Sequence, residues 1–452
     1  MAFTRELANY VADLRYENIP EDAVNLAKMI LSDFLGVAIA GRDEEGPLLL
    51  KEFILEQGCA AESGVPGYSF KTSAVYSALL CGMMGHVLDY DDVAYSMSGH
   101  SAVVLAPVIW ALGDKYNITG KQAIEAFLAG FEGASTVGRF MKPDKPNPGI
   151  WHQTKTIGVI GATLTAAKIM DLTRDQIRVA LGIAASMSGG LMRNFGTMMK
   201  PFHAGSAAHD GILAAAMAKK GFTAHMDILE AETGFRRAFL REGGPSEESM
   251  VNSLHSGLWD ITSGGGVTIK LFPSCGGTHK AISAVIGLAN REDIKPADVK
   301  SVVIKNQEWV FKVAHITEPK TGLEGKFSVE FTVAVALTYR AVGMEHFTDA
   351  KVKELEPLMK KISREVDTAP AEGPHVPTTA TITMADGRVF ANTVNYQTGH
   401  AENPLTWEEL FRKYRGCMAL HFPEEEIAKS WEMLTGLERV ERFRDLIAVF
   451  TK

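Results

Sequence analysis

Across its first 260 or so residues the sequence repeats small and apolar side chains every three or four positions, a period that only helices can use. Val24, Ala27, Ile30, Leu31, Phe34 and Ala38 form one such stripe, opened by Pro20 and closed at Gly41. The same period predicts helices over 74–88, 102–115, 122–137, 157–170, 174–185 and 204–219, the last stopped by Gly221. These stretches are rich in Ala and Gly, so helix backbones can approach closely. Strand-like alternation is almost absent, and the region is expected to be all-α.

The pattern changes at Ser263–Gly266, where SGGG reads as a flexible joint. VTIKLFP and VKSVVIKN read as strands around the helix AISAVIGLAN. FSVEFTVAVALTYR and AKVKELEPLMKKI read as helices, and TATITMADGRVFANTVNY as a hairpin turning at Asp386-Gly387. From Leu405 the helical period returns, with Thr406 and Glu409 spaced as a capping box. The expected fold is therefore mainly α: a large all-α helical domain formed by both chain ends (1–266 and the returning helices 397–452) plus an inserted, smaller α+β lid domain (267–396).

A chain of 452 residues exceeds one ordinary core. Its net charge of −8, with no basic block, argues against a nucleic-acid partner. Cys59, Cys81, Cys275 and Cys417 have no metal-ligand spacing and suit a reducing, cytoplasmic setting. The N-terminus has no signal-peptide pattern, and no run approaches the roughly 18 uninterrupted apolar residues of a spanning helix. No membrane association is expected.

Four segments concentrate polar chemistry. HVLDYDDVAYSMSGHSAVVL places His86, Asp89, Asp91, Asp92 and His100 among small and apolar residues, where charge is costly unless it has a task. If helix continued to Tyr90, His86 and Asp89 would share a face. The cluster can be read as an acid/base pair, a divalent-metal site, or a capped helix end with solvated aspartates. GIWHQTKTIG sets His152 in a glycine-flanked loop before a helix, as an active group or a structural donor. In NFGTMMKPFHAG, Pro201 is expected to fix a non-helical turn that presents Lys200 as a cation for a carboxylate, with Thr197 beside it and His203 supporting the turn; a lysine that reaches solvent is the plainer alternative. In KLFPSCGGTHK, His279 opens a helix, while Cys275 reads as a small buried residue with nothing near it in sequence to activate it.

Taken in order with KFSVEFTVAVAL and GHAENPLTWEEL, these segments resemble the MmgE/PrpD family over nearly the whole chain. That family includes 2-methylcitrate dehydratase, cis-aconitate decarboxylase and iminodisuccinate epimerase. The resemblance implies a helical domain from both chain ends, a smaller α+β lid, a homodimer, no organic cofactor, no metal, and an active site in the cleft between domains. Carried onto matching positions, it implies site residues Asp89, His100, His152, Lys200 and His279. Family substrates are small polycarboxylates, so Lys200 and histidines would hold carboxylates, His100 or His152 would move a proton, and Asp89 would orient the imidazole.

The sequence departs from the family pattern at Gly99-His100-Ser101, where THP is common. Gly276 and Phe331 stand where an arginine and a tyrosine are frequent, which removes polar contacts that a tricarboxylate would use. The expected activity is a cofactor-independent, dehydratase-like lyase on a di- or tricarboxylate of the 2-methylcitrate or aconitate type. An epimerase on a dicarboxylate such as iminodisuccinate is the alternative, followed by a metal-dependent all-α enzyme and a non-catalytic binding protein.

Overall fold

Helices form where the three-to-four period runs uninterrupted, and their ends follow local chemistry. The computed structural model describes residues 3–142, 149–240, 243–263, 266–368 and 376–451. Helices occupy Glu21–Ala40, Ala74–Val87, Ala102–Tyr116, Gly120–Phe140, Gly158–Ile169, Arg174–Ser186 and Met199–Lys219, close to the spans read from periodicity. Thr119, Thr173 and Thr406 each accept from the backbone N–H three positions on, in complete capping boxes.

The chain divides into two compact units. The first comprises Met1–Val87, Asp91–Ile269 and Thr406–Lys452, and the second Leu88–Tyr90 and Lys270–Leu405. In the first, Glu21–Ala40 is long and apolar enough to span a membrane by length and composition, yet most of it is buried among the other helices.

The all-α expectation for the first region fails. Ser63–Gly64 pairs antiparallel with Lys71–Thr72, and Val93–Ala94 with Val267–Thr268. The chain is mostly helical with α+β content, and two-residue strands are too short to leave a period in the sequence. The second pair tethers the segment that leads to His100, since Ala94 N–H also donates to Gly99 O at 2.8 Å. Gly264 and Gly265 of the expected joint lie outside the described residues.

The second unit holds a four-stranded sheet in the order Ile362–Val366, Val299–Asn306, Thr378–Met384, Val389–Val394. The first two strands are parallel and the remaining pairs antiparallel. Helices Gly276–Arg291 and Val329–Tyr339 pack together in the same unit. Ile362–Val366 escaped the sequence reading because it follows the Asp349–Met359 helix after a turn of only two residues.

Candidate active site

The first unit gathers four histidines, a lysine and an aspartate by crossing two helices closely. Ala74–Val87 carries His86 in its last turn, and Met199–Lys219 carries Lys200 and His203 in its first. They touch at Gly82 and Gly205. A Cβ on Gly82 would lie 2.7 Å from Gly205 Cα, and one on Gly205 only 2.1 Å from Leu79 O. Nothing larger than hydrogen fits there, so the two ends that bear the polar groups are held at backbone contact distance.

Lys200 and Pro201 are helical, which corrects the expected non-helical turn. Proline is tolerated in a first helical turn, where its missing N–H would have no intrahelical partner. Thr197 lies just before this helix; its hydroxyl donates to Asn194 O at 2.8 Å and accepts from Met199 N at 3.3 Å. Lys200 is buried, with its Nζ 5.5 Å from the Phe195 ring centroid.

Asp91 joins two imidazoles. The His86 helix ends at Val87, earlier than a shared face for His86 and Asp89 would require. Asp91 is fully buried, with His86 Nδ1 at 3.0 Å from Oδ1 and His100 Nδ1 at 2.9 Å from Oδ2. Its neighbour Asp92 turns the other way. It accepts from Ser101 N (3.1 Å), Ala102 N (2.8 Å) and the Ser101 hydroxyl, closing the N-terminus of the Ala102–Tyr116 helix.

These contacts fix the ring protons. His100 Nδ1 also lies 2.7 Å from Asp92 O. A carbonyl only accepts, so this nitrogen carries hydrogen, and in the neutral ring Nε2 is the nitrogen with the lone pair. His86 donates from Nδ1 to Asp91 in the same way, and its Nε2 is buried without a hydrogen-bond partner. Gly99 lets this loop meet the His152 segment: a Cβ there would stand 2.9 Å from Thr154 N, and His100 N–H donates to Thr154 Oγ1 at 3.2 Å.

His152 caps the four-residue helix Gln153–Thr156 and donates its backbone N–H to Gly190 O at 2.9 Å. Its ring stacks on His86 with centroids 5.9 Å apart, stands 6.5 Å from His100 and 4.9 Å from Phe195, and meets His203 Nδ1 to Nδ1 at 3.1 Å. Burial is the chief reason that His86 is pushed down to about 3; Asp91 opposes it, while Lys200 and His100 add to it. Burial and then Lys200 hold His152 well below the ordinary histidine range. Burial, Lys155 and Lys200 bring His203 to about 4. For Asp91, burial acts upward but is outweighed by His86 and His100, so the carboxyl stays well below its ordinary value. At neutral pH His86, His152 and His203 are thus neutral, beside the Asp91 carboxylate and Lys200.

His86, Asp91 and His100 also place possible ligand atoms within 4.8 Å of one another, a spacing that a divalent cation could bridge. The Asp92 carbonyl makes His100 Nδ1 a proton donor, which leaves only Nε2 of that ring for a metal.

The other two expected residues belong to the second unit. Asp89 adopts φ +51°, with its carboxylate Oδ1 2.6 Å and its carbonyl 3.0 Å from Lys270 Nζ, a lysine only 1% exposed. Lys326 Nζ donates to Leu88 O at 2.7 Å and Pro273 O at 3.0 Å. His279, buried in the first turn of Gly276–Arg291, donates from Nε2 to Ser274 O at 3.1 Å against the Phe272 ring. Gly276 is the first residue of that helix, and Phe331 is a core side chain against Phe347. Cys275 is buried.

Of the expected residues, His100, His152 and Lys200 come together in the first unit. The carboxylate seated on His100 is that of Asp91, where the family resemblance implied Asp89. Lys270 and Lys326 escaped notice because their contacts with Asp89 and Leu88 span 181 and 238 residues of sequence.

Two family models cover most of the chain: the MmgE/PrpD N-terminal domain over residues 5–248 and the MmgE/PrpD C-terminal domain over 272–439. A cis-aconitate decarboxylase of Mus musculus is 25% identical, aligned over 98% of this chain and 91% of its own length. One from Aspergillus terreus is 25% identical over 98% and 95%. An alkylcitrate dehydratase of Talaromyces stipitatus is 24% identical over 94% and 91%.

Proposed function

The chain belongs to the MmgE/PrpD family, and from that premise we propose that it is a lyase acting on a small tri- or dicarboxylate, in the dehydratase sense, with neither metal nor organic cofactor. The observation that carries this reading is the Asp91-held His100, with Nε2 bare. A carboxylate that fixes the proton on one imidazole nitrogen and leaves the other as a base is an arrangement that serves proton transfer.

His100 is the better placed of the two candidate bases. Its side chain is 14% exposed, whereas His152 is only 4% exposed and its Nε2 is fully buried. In the proposed step, His100 Nε2 takes a proton from the carbon beside a substrate carboxylate. The electron pair moves toward that carboxylate, where the Lys200 charge stabilises it. Collapse forms the carbon–carbon double bond and expels hydroxide from the adjacent carbon. The imidazolium returns its proton to that hydroxide, which leaves as water.

The relatives named cis-aconitate decarboxylase support a second reading on the same residues. Loss of CO2 would generate the carbanion, and protonated His100 would quench it. An epimerase would return the proton to the same carbon.

The test is incubation with 2-methylcitrate, citrate, cis-aconitate and iminodisuccinate in deuterated water after exhaustive chelation, following alkene formation, CO2 release and label. Alkene with water loss supports the dehydratase, and CO2 release the decarboxylase. Label in recovered substrate without product would overturn the lyase reading. Activity abolished by chelation and restored by a divalent metal would overturn the metal-free one.

A further inference from the structure

His152 and His203 face each other through like atoms. Their Nδ1 atoms lie 3.1 Å apart, and both side chains are buried. Two lone pairs at that distance repel and two N–H groups collide, so one hydrogen sits between the rings and their tautomers are complementary. The hydrogen belongs to one ring or the other, and His152 decides which. Its Nε2 is buried with no hydrogen-bond partner. An orphaned N–H in such a place is rarer than an orphaned lone pair, so His152 carries its hydrogen on Nδ1 and His203 accepts it.

We propose that His203 is a positioning residue for the reaction: by accepting the Nδ1 hydrogen of His152 it holds that ring in the orientation that packs it against His86 and His100, the imidazole that moves the proton. This rests on the lyase reading above. No carboxylate is needed in this role so long as His203 stays neutral, because a protonated His203 would have to donate at Nδ1 and would reverse the pair.

The surroundings keep it neutral. Lys155, from the short helix that His152 caps, donates to Ser206 O at 3.1 Å and pairs with Asp210; its charge and that of Lys200 both disfavour a cation on His203. Among the described residues, these two ammonium groups and His152 are the charged and titratable groups that act on it. The Lys155–Asp210 pair is thereby part of the support for His152, to whose backbone carbonyl Lys155 N–H donates at 2.9 Å. His203 had been read from sequence only as a support for a turn.

The test is long-range proton–nitrogen correlation on the full-length, ligand-free protein with nitrogen-15 histidine at pH 7.5, with signals assigned through His152→Asn and His203→Gln. The expected result is the Nδ1–H tautomer for His152 and the Nε2–H tautomer for His203. The reverse pair, or a protonated His203, would overturn the proposal. In the kinetic arm, His203→Phe should lower kcat by about 10²-fold with KM nearly unchanged, and His203→Gln, whose amide oxygen can accept the same hydrogen, should recover part of the loss. Unchanged kcat in His203→Phe, or equal loss in both variants, would also overturn it. If the wild type turns over no di- or tricarboxylate, the lyase reading falls while the nitrogen spectra still decide the pairing.

Discussion

His100 Nδ1 lies 2.9 Å from Asp91 Oδ2 inside a pocket where that carboxylate has no exposure to water. The same carboxylate holds His86 on its other oxygen. One buried negative charge therefore orients two rings, and in the neutral form of each ring Nε2 is the lone-pair nitrogen.

Asp91→Asn removes that control with little change in volume. Its amide nitrogen can donate to either ring and favour the opposite tautomer, so kcat should fall by about 10³- to 10⁴-fold while KM changes little. Steady-state kinetics on the substrate found in the screen measure this. A kcat within tenfold of wild type would remove His100 as the proton carrier.

Lys200→Met should lower kcat/KM by about 10²- to 10³-fold, as expected for the loss of a charge that stabilises a developing anion. It should also ease the downward push on His86 and His152, since Lys200 contributes to both. Their protonation, followed by NMR, should move to higher pH; unchanged titrations would show that the ammonium lies farther from them than described.

Acid should destabilise the fold early. His86 and His203 protonate near 3 and 4 in the folded state but near about 6.5 when unfolded. Between those limits the unfolded chain binds more protons, so stability falls as pH drops below about 6.5. Asp91 adds to the loss at lower pH, because its depressed folded pKa contributes stability only while it is ionised. Melting temperature of a Glu132→Gln variant, which lacks the opposing titration of that raised carboxyl, should decline from about pH 6.5 to about 4, and a flat profile down to about pH 5 would contradict neutral, buried histidines.

Glu132 acts at the alkaline end. Burial raises it to about 8, although it accepts from Asp260 N at 2.9 Å and Ile261 N at 3.1 Å. A raised folded pKa gives stability that is present at low pH and lost as pH rises through about 8. Glu132→Gln retains a carbonyl acceptor but does not titrate, so its melting temperature should vary less between pH 7 and 9 than that of wild type. An equal alkaline loss in both proteins would place the titrating group elsewhere.

Gly205→Ala should cost about 1–3 kcal/mol or more, because its Cβ would meet Leu79 O at 2.1 Å and backbone cannot rotate away. Activity should fall further than stability, since His86 and Lys200 ride on the two helices being forced apart. Gly416→Ala is the control: it lies in the Trp407–Met418 helix with nothing within 4 Å and should stabilise by up to about 1 kcal/mol. Thermal melts and kinetics of the two variants make the comparison.

The sequence made the long helices legible because each keeps one apolar period for three turns or more, and it made His100, His152 and Lys200 conspicuous because polar groups stand out among alanines and glycines. The roles of neighbouring aspartates were not legible. Whether Asp89, Asp91 or Asp92 meets an imidazole depends on the helix stopping at Val87 and on Asp89 taking a left-handed conformation, and neither event has a signal in HVLDYDD. Lys200-Pro201 was misread because a proline that ends one helix and a proline in the first turn of another leave the same local pattern. The two-residue strands and the Lys270–Asp89 pair depend on segments far apart in the chain, which periodicity does not connect.

Three imidazoles kept neutral by burial and by the Lys200 charge have a thermodynamic consequence for ligand binding. A polycarboxylate that settles against Lys200 offsets the positive field that helped to suppress their protonation, so their affinity for hydrogen ions rises as the ligand binds. Starting from about 3 and about 4, His86 and His203 stay neutral at neutral pH, and the protein should draw protons from solution with its ligand only in acidic buffer. Heats of binding should depend on the ionisation enthalpy of the buffer, and affinity should strengthen toward mildly acidic pH while the fold itself becomes less stable.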